Sequence, residues 1–286
     1  MAPNIKHVTI AGATSTTGVP ILAALLASNL FHVTVLTRKG SKHTFPAEVI
    51  VKHVDYTSIQ DLTAALRGQD ALINTTNIVE PVPQFNLIDA AVAAGVYRYL
   101  PSEYGLNNNK PAIGELPVFK AAYDALQHVK ELCAASGGAT TYTDVHIGGL
   151  LDWGIEMGFT GIALRERVVT LYDGGVNEIA YTTREWLGKT VVRVLTSPGE
   201  TADRAVYVAN TYASQNRLVG LVKEVVGDEG WTVERKDTEE ILLDFIHVAD
   251  NNPKYETRWE KDDDELLGVP RFSDEDIKDI VKRLVV

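Results

Sequence analysis

The segment Gly12-Ala13-Thr14-Ser15-Thr16-Thr17-Gly18 follows a short β-rich run, His7 to Ala11, and leads into an apolar helical pattern from Val19. In such a turn Gly12 permits a tight bend and Gly18 lets the helix sit close to the strand. The N–H groups of Thr14, Ser15, Thr16 and Thr17 then face outward at a helix N-terminus, which suits the pyrophosphate of a dinucleotide. Ser15 stands where the middle glycine of this pattern usually falls, and its hydroxyl could donate to a phosphate. Without a ligand, the same residues would make an ordinary strand-to-helix turn.

A second set of residues bears on which dinucleotide. At the end of the second apolar run, His32 to Leu36, come Thr37-Arg38-Lys39, with Lys42 soon after and no acid until Glu48. A carboxylate there would accept ribose hydroxyls, whereas a guanidinium pairs with a 2′-phosphate. The expected cofactor is therefore NADP(H). His146 ends a later β-like run just before Ile147-Gly148-Gly149, at the edge where open α/β sheets take ligands, so it is a candidate catalyst as well as a candidate structural histidine. No metal site is expected: the seven histidines are scattered and Cys133 is alone. A serine hydrolase lacks its G-x-S-x-G turn.

These residues need a scaffold, and the first half of the chain spells one. Short apolar runs at His7–Ala11, His32–Leu36, Val49–Val51 with Val54, Ala71–Ile73 and Tyr97–Leu100 alternate with helical patterns at Val19–Leu30, Ile59–Leu66 and Phe85–Ala94. Strands spaced by helices of this length predict βαβ units and an α/β, doubly wound parallel sheet, a Rossmann core. Further on, Lys120–Ala135, Thr182–Leu195 and Gln215–Val226 read as helices. Thr140–Ile147, Arg167–Tyr172 and Arg204–Ala209 read as strands. Residues 1–150 form the expected core, with 180–212 returning to it. Residues 151–179 and 213–286 form a smaller substrate-covering part. Asp262-Asp263-Asp264-Glu265 reads as a solvated loop, and Ser273-Asp274-Glu275-Asp276 as the start of a last helix.

Composition narrows the classes. The chain has 286 residues and a formal net charge of -11; residues 228–286 hold 18 Asp/Glu and 9 Lys/Arg, so -9 of the -11 lies there. Phosphate neutralisation needs a basic face, so no nucleic-acid partner is expected. No apolar run approaches the roughly 20 residues that span a bilayer, so no membrane association is expected. The lone cysteine and the absence of a leader-like N-terminus suit a cytoplasmic protein, monomeric or homodimeric.

The residues also carry a likeness. Gly12–Gly18, Thr37-Arg38, Asp55-Tyr56 and above all Arg98-Tyr99-Leu100-Pro101-Ser102-Glu103-Tyr104-Gly105 resemble the NmrA-like and isoflavone-reductase-like proteins, an atypical branch of the short-chain dehydrogenases/reductases. Leu150-Leu151-Asp152-Trp153-Gly154 and Leu171-Tyr172-Asp173-Gly174-Gly175 extend it, most closely to fungal members. The resemblance implies bound NADP(H), with the pyrophosphate on Thr14–Thr17 and the 2′-phosphate on Arg38 and Lys39. It places Asp55 and Tyr56 near the adenine, and Asn74, Thr75 and Thr76 along the ribose and diphosphate. Ser102, Glu103 and Tyr104 would stand toward the nicotinamide. One departure matters: the lysine that reductases of this family carry three residues beyond the phenylalanine matching Phe119 is Ala122 here. Tyr123, with Lys120 on the same helix face, is the candidate proton donor in its place.

Three functions fit these features. The first is an NADPH-dependent reductase of a small organic, aromatic or alkaloid-like substrate from secondary metabolism. The second is an enzyme that uses the bound cofactor as a template for a cyclisation or rearrangement. The third is an NADP(H)-sensing regulator without turnover.

Overall fold

A computed structural model describes residues 3–77, 81–237 and 257–285. The first half alternates as the apolar runs require: β1 (His7–Ala11), α1 (Gly18–Ser28), β2 (His32–Arg38), β3 (Ile50–Val54), α2 (Ile59–Leu66), β4 (Ala71–Asn74), α3 (Pro81–Ala94) and β5 (Arg98–Leu100). There follow α4 (Pro111–Gly114), α5 (Pro117–Ala135), β6 (Thr141–His146), β7 (Gly149–Leu150), α6 (Leu151–Glu156), β8 (Ile162–Ala163), β9 (Val168–Tyr172) and β10 (Ile179–Thr182). The chain closes with α7 (Arg184–Thr196), β11 (Arg204–Tyr207), β12 (Thr211–Ala213), α8 (Gln215–Val226), β13 (Thr232–Lys236), α9 (Asp264–Leu267) and α10 (Asp274–Leu284).

Seven strands form one sheet in the order β11-β6-β5-β4-β1-β2-β3, every neighbouring pair parallel. The central strands are buried on both faces, which is why they read as continuous apolar runs rather than alternating ones. On one face Ile10, Val35, Ile73 and Val145 pack with Ile21 and Leu25 of α1 and with Leu187, Val191 and Val194 of α7. On the other, Leu36, Leu72 and Tyr99 pack with α2, α3 and with Val129 and Cys133 of α5. β1 lies between β4 and β2, so the strand order reverses beside it. That switch point opens a crevice at the strands' C-terminal ends, where the glycine turn emerges.

Local signals set most boundaries. Thr183 accepts from Trp186 N–H to cap α7, and α8 runs to Val226 before Gly227. Ser273 and Asp276 form a reciprocal capping box at α10. Two helices start earlier than their apolar patterns indicate, α3 at Pro81 and α5 at Pro117. Proline is tolerated in the first turn because its missing N–H would have no intrahelical partner there.

The acidic run at 262–265 is a correction to the sequence expectation. It is not a solvated loop. Asp263 pairs with Arg204 at 2.7 Å and accepts the Tyr207 N–H, while Asp264 accepts the Ala209 N–H at 3.0 Å and is buried at the start of α9. The run pins the C-terminal segment onto the edge strand β11. Burial pushes the Asp264 carboxyl up to about 6, against the pull of the Ala209 N–H and Arg271. A carboxyl whose folded-state value is raised binds its proton more tightly folded than unfolded, so its contribution to stability falls as pH rises from about 4 to about 6. Asp264→Asn should therefore gain melting temperature relative to wild type across that window and hold a constant difference above pH 7. A difference independent of pH would show that Asp264 does not titrate there. The expected helicity of the acidic C-terminal part falls partly on residues 238–256, outside the described residues.

Candidate cofactor and substrate site

The turn after β1 is built by contacts to the β4 loop. Thr75 donates both its N–H and its hydroxyl to the Ala11 carbonyl, each at 2.8 Å. This draws the β4 loop so close that a Cβ on Gly12 would lie 2.5 Å from the Thr75 carbonyl oxygen, and Gly12 has a φ of +83°. A Cβ on Gly18 would lie 2.2 Å from the Gly12 oxygen. Both glycines are steric requirements.

Ser15 also helps to build the turn itself. Its hydroxyl accepts the Gly18 N–H at 2.9 Å and its N–H donates to Gly12 O at 2.9 Å, so it closes the first turn itself. The N–H groups of Thr14, Thr16 and Thr17 have no protein partner among the described residues. Gly12, Ala13, Thr14 and Ser15 line a groove of about 980 Å³, whereas Thr16, Thr17 and Gly18 are not among its lining residues.

The groove runs from this turn over the ends of β2, β3 and β4. Arg38, the last residue of β2, is exposed along it and makes no side-chain hydrogen bond or ion pair among the described residues. Lys39, by contrast, is held by Asp61 at 2.7 Å, and Asp61 also accepts the Asp55 N–H at 2.9 Å. Hydrogen bonds from Thr57 lower the Asp55 carboxyl below its ordinary range. Tyr56 lies against the core of that face and donates its hydroxyl to the Leu36 carbonyl at 3.0 Å; burial raises its phenol.

Thr75, Thr76 and Asn77 line the far side, but Asn74 does not. Fully buried, Asn74 donates to Gln84 at 2.6 Å and to the Tyr99 hydroxyl at 3.1 Å, and accepts from the Thr76 N–H and hydroxyl. Gln84 in turn donates to the Thr76 hydroxyl and the Asn77 carbonyl. Asn74 shapes the loop and Gln84 braces it. Sequence reasoning passed over Gln84; its one signal was a polar residue among the apolar ones on that helix's buried face.

Beyond the groove, Ser102 donates to the Thr76 carbonyl at 2.8 Å, tying the end of β5 to the β4 loop. Glu103 is buried and accepts from Asn108; burial, reinforced by Asp144, pushes its carboxyl well above the ordinary range. The Tyr104 hydroxyl is buried, with no hydrogen-bond partner among the described residues.

His146 is fully buried. Its Nδ1 lies 2.6 Å from the Leu106 carbonyl and its Nε2 2.7 Å from Asp144 Oδ2, while Asn109 Nδ2 donates to the same oxygen at 2.7 Å. Lys130 of α5 donates to Asn109 Oδ1 at 2.6 Å, which fixes the amide's orientation. The imidazole stacks on the Tyr207 ring, 5.0 Å between centroids. Asp144, Asn109 and Lys130 were missed from the sequence because they meet across 14 to 35 residues of chain; the alternation Asp144-Val145-His146 was the one local sign.

The pairing expected of Lys120 and Tyr123 is not formed. Lys120 is exposed and held by Asp124 at 2.6 Å. The Tyr123 ring lies flat on Gly114, where an added Cβ would stand 2.7 Å from it. The i,i+4 ion pair along one face wins over the i,i+3 approach to an aromatic ring. No hydrogen bond or ion pair joins either residue to His146.

Residues 12–198 match the family model described as NAD(P)H-binding. Oxidoreductase poxI of Penicillium oxalicum is 31% identical, with 96% of this chain and 94% of that protein covered. Among solved structures, an isoflavone reductase superposes with a TM-score of 0.72 at 19% identity, covering 95% of this chain and 98% of its own. A leucoanthocyanidin reductase from Vitis vinifera, solved as a binary complex with NADPH, gives 0.74 at 17% identity, covering 96% and 99%. These two share the fold that the strand order and the glycine turn already define. The chain belongs to the NAD(P)H-binding family, and its fold is that of the isoflavone-reductase-like proteins its motifs resemble.

Proposed function

We propose that this protein is an NADPH-dependent reductase of a small organic molecule, with an aromatic or alkaloid-like secondary metabolite as the substrate class. The observation that carries the cofactor half is the groove itself. It begins at a turn whose Gly12 has no room for a Cβ against the Thr75 backbone, passes the free N–H of Thr14, and ends at the Arg38 guanidinium, which has no hydrogen-bond or ion-pair partner among the described residues. That donor set fits a pyrophosphate at one end and a 2′-phosphate at the other. The fold relative solved with NADPH and the oxidoreductase relative support the same reading.

Arg38 carries the choice between cofactors, and Lys39, already held by Asp61, has a lesser part. Arg38→Ala should weaken NADPH by about 1.5–3 kcal/mol, the scale of a hydrogen bond to a charged group, and leave NADH nearly unchanged. Equal losses for both dinucleotides would remove Arg38 from the 2′-phosphate.

When bound, the dinucleotide supplies hydride. The chain's part is to hold it: the Gly12 turn and Thr75–Asn77 loop fix its phosphates, and Ser102 couples that loop to the β5 end where substrate would lie. The test is loss of nicotinamide absorbance on incubation with NADPH and a panel of quinones, aldehydes, imines and enones. One observation favours a second reading, a rearrangement templated by bound cofactor: Ala122 replaces the family's lysine and is buried at 1% exposure. Product formed without NADPH consumption would select it. Tight NADPH binding with no product from any compound would point instead to a sensor.

A further inference from the structure

Two cations follow one another at the end of β2, and they stand differently. Arg38 lines the groove with no hydrogen-bond or ion-pair partner among the described residues. Lys39 lines it too, but its ammonium lies 2.7 Å from Asp61 Oδ2. Asp61 is not among the groove's lining residues. It reaches the groove only through what it holds.

The carboxylate is a fixed point. Asp61 stands in the first turn of α2, where its N–H donates to the capping Ser58 hydroxyl at 3.2 Å. The oxygen that meets Lys39 also accepts the Asp55 N–H at 2.9 Å. Lys39 in turn donates its own N–H to the Val54 carbonyl at 3.2 Å. One carboxylate thus ties together the ends of β2 and β3, whose next residues, Lys39 and Asp55, both line the groove. The hydrogen bond from Lys39, and then the one from Asp55, hold the Asp61 carboxyl below its ordinary range, so it is ionised at neutral pH. An exposed ion pair is usually worth little, because two long side chains must be ordered to make it. Here the acid is short and already held by the backbone, so Lys39 alone has to be ordered.

A 2′-phosphate beside Arg38 gains a second cation only if Lys39 leaves Asp61. Arg38 and Lys39 together would give the phosphate two positive charges, whereas Arg38 with a neutralised Lys39 gives it one. We infer that Asp61 is a positioning residue that sets cofactor specificity: by holding Lys39 it withholds a cation from the 2′-phosphate and keeps the preference for NADPH over NADH below what the two cations could supply. This rests on the cofactor reading above.

Asp61→Asn removes the charge and keeps an oxygen to accept the Asp55 N–H. Calorimetric titration at about 0.15 M salt, where more distant charges are screened, should show NADPH tightened about fivefold, the upper scale of one exposed ion pair. NADH, which has no 2′-phosphate, should bind as it does to wild type. A purely structural role for Asp61 would instead move both dinucleotides together. Asp61→Glu keeps the charge and should leave both affinities near wild type. Lys39→Gln supplies the deciding background: with no ammonium to release, Asp61→Asn should change NADPH affinity there by less than about twofold.

Equal changes for NADPH and NADH in Asp61→Asn overturn the inference, as does an NADPH affinity that stays at the wild-type value. An equal gain in Asp61→Glu would assign the effect to the shape of the turn and overturn it too. A full gain in the Lys39→Gln background would show that Asp61 acts by its own charge and not through Lys39. If wild type binds NADH as tightly as NADPH, the cofactor reading fails and the inference with it. A wild type that prefers NADPH, beside an unchanged Asp61→Asn, overturns the inference alone.

Discussion

Gly12→Ala should weaken dinucleotide binding on the order of 100-fold, about 2.7 kcal/mol, for NADPH and NADH alike. Two costs combine. At a φ of +83° an alanine is in a left-handed conformation that costs roughly 1–2 kcal/mol. Its Cβ would also stand 2.5 Å from the Thr75 oxygen and 2.8 Å from the Thr76 nitrogen, which are backbone atoms and cannot swing aside. The β4 loop must move, and with it the wall of the groove. Gly68→Ala separates the two effects, because Gly68 has a φ of +75° with nothing within 4 Å of the added carbon. That control should lose some stability and keep its affinity. Equal affinities for the two variants, measured by fluorescence titration, would mean the turn is not the phosphate cradle.

Arg98→Ala is expected to be the most damaging substitution for folding, with a loss of at least about 3 kcal/mol. Arg98 is fully buried in β5, in the Arg98–Gly105 segment that carries the family likeness. Its guanidinium donates to the hydroxyls of Thr141, Thr143 and Thr201 and to the Pro198 carbonyl, at 2.6–2.9 Å. Each of those hydroxyls in turn donates to a backbone carbonyl, of Tyr97, Thr201 and Ser197 respectively. The arginine thus stitches β5 to β6 and to the connection between α7 and β11, with no carboxylate as hydrogen-bond partner. Removal leaves a cavity and several acceptors with no donor. Arg98→Lys should recover little, since one ammonium cannot span the four sites that the planar fork reaches. Chemical denaturation of both variants tests this; a midpoint equal to wild type in either would contradict the clamp.

Much of this was legible in the sequence because it is local. The glycine turn, the largely apolar central strands and the start of the last helix at Ser273 are read from neighbouring residues, and each forms in the structure. What the sequence hid is what long-range contacts decide. Asp263 and Asp264 resemble a solvated charge run until Arg204 of β11 and the Ala209 N–H just beyond it come to meet them. The bond by which Ser15 accepts the Gly18 N–H exists only once the turn has closed. Lys120 and Tyr123 share a face by spacing, yet Asp124 is the better partner for an ammonium. The Lys130–Asn109–Asp144–His146 chain joins a helix, a loop and a strand, and no periodicity announces it.

As proposed above, the groove takes NADPH in preference to NADH through Arg38. The direct measurement is calorimetric titration of the wild-type protein with each dinucleotide under the same salt conditions. A guanidinium on the 2′-phosphate with no opposing carboxylate predicts NADPH binding at least about tenfold tighter, roughly 1.4 kcal/mol or more. Equal affinities, or tighter binding of NADH, would contradict it.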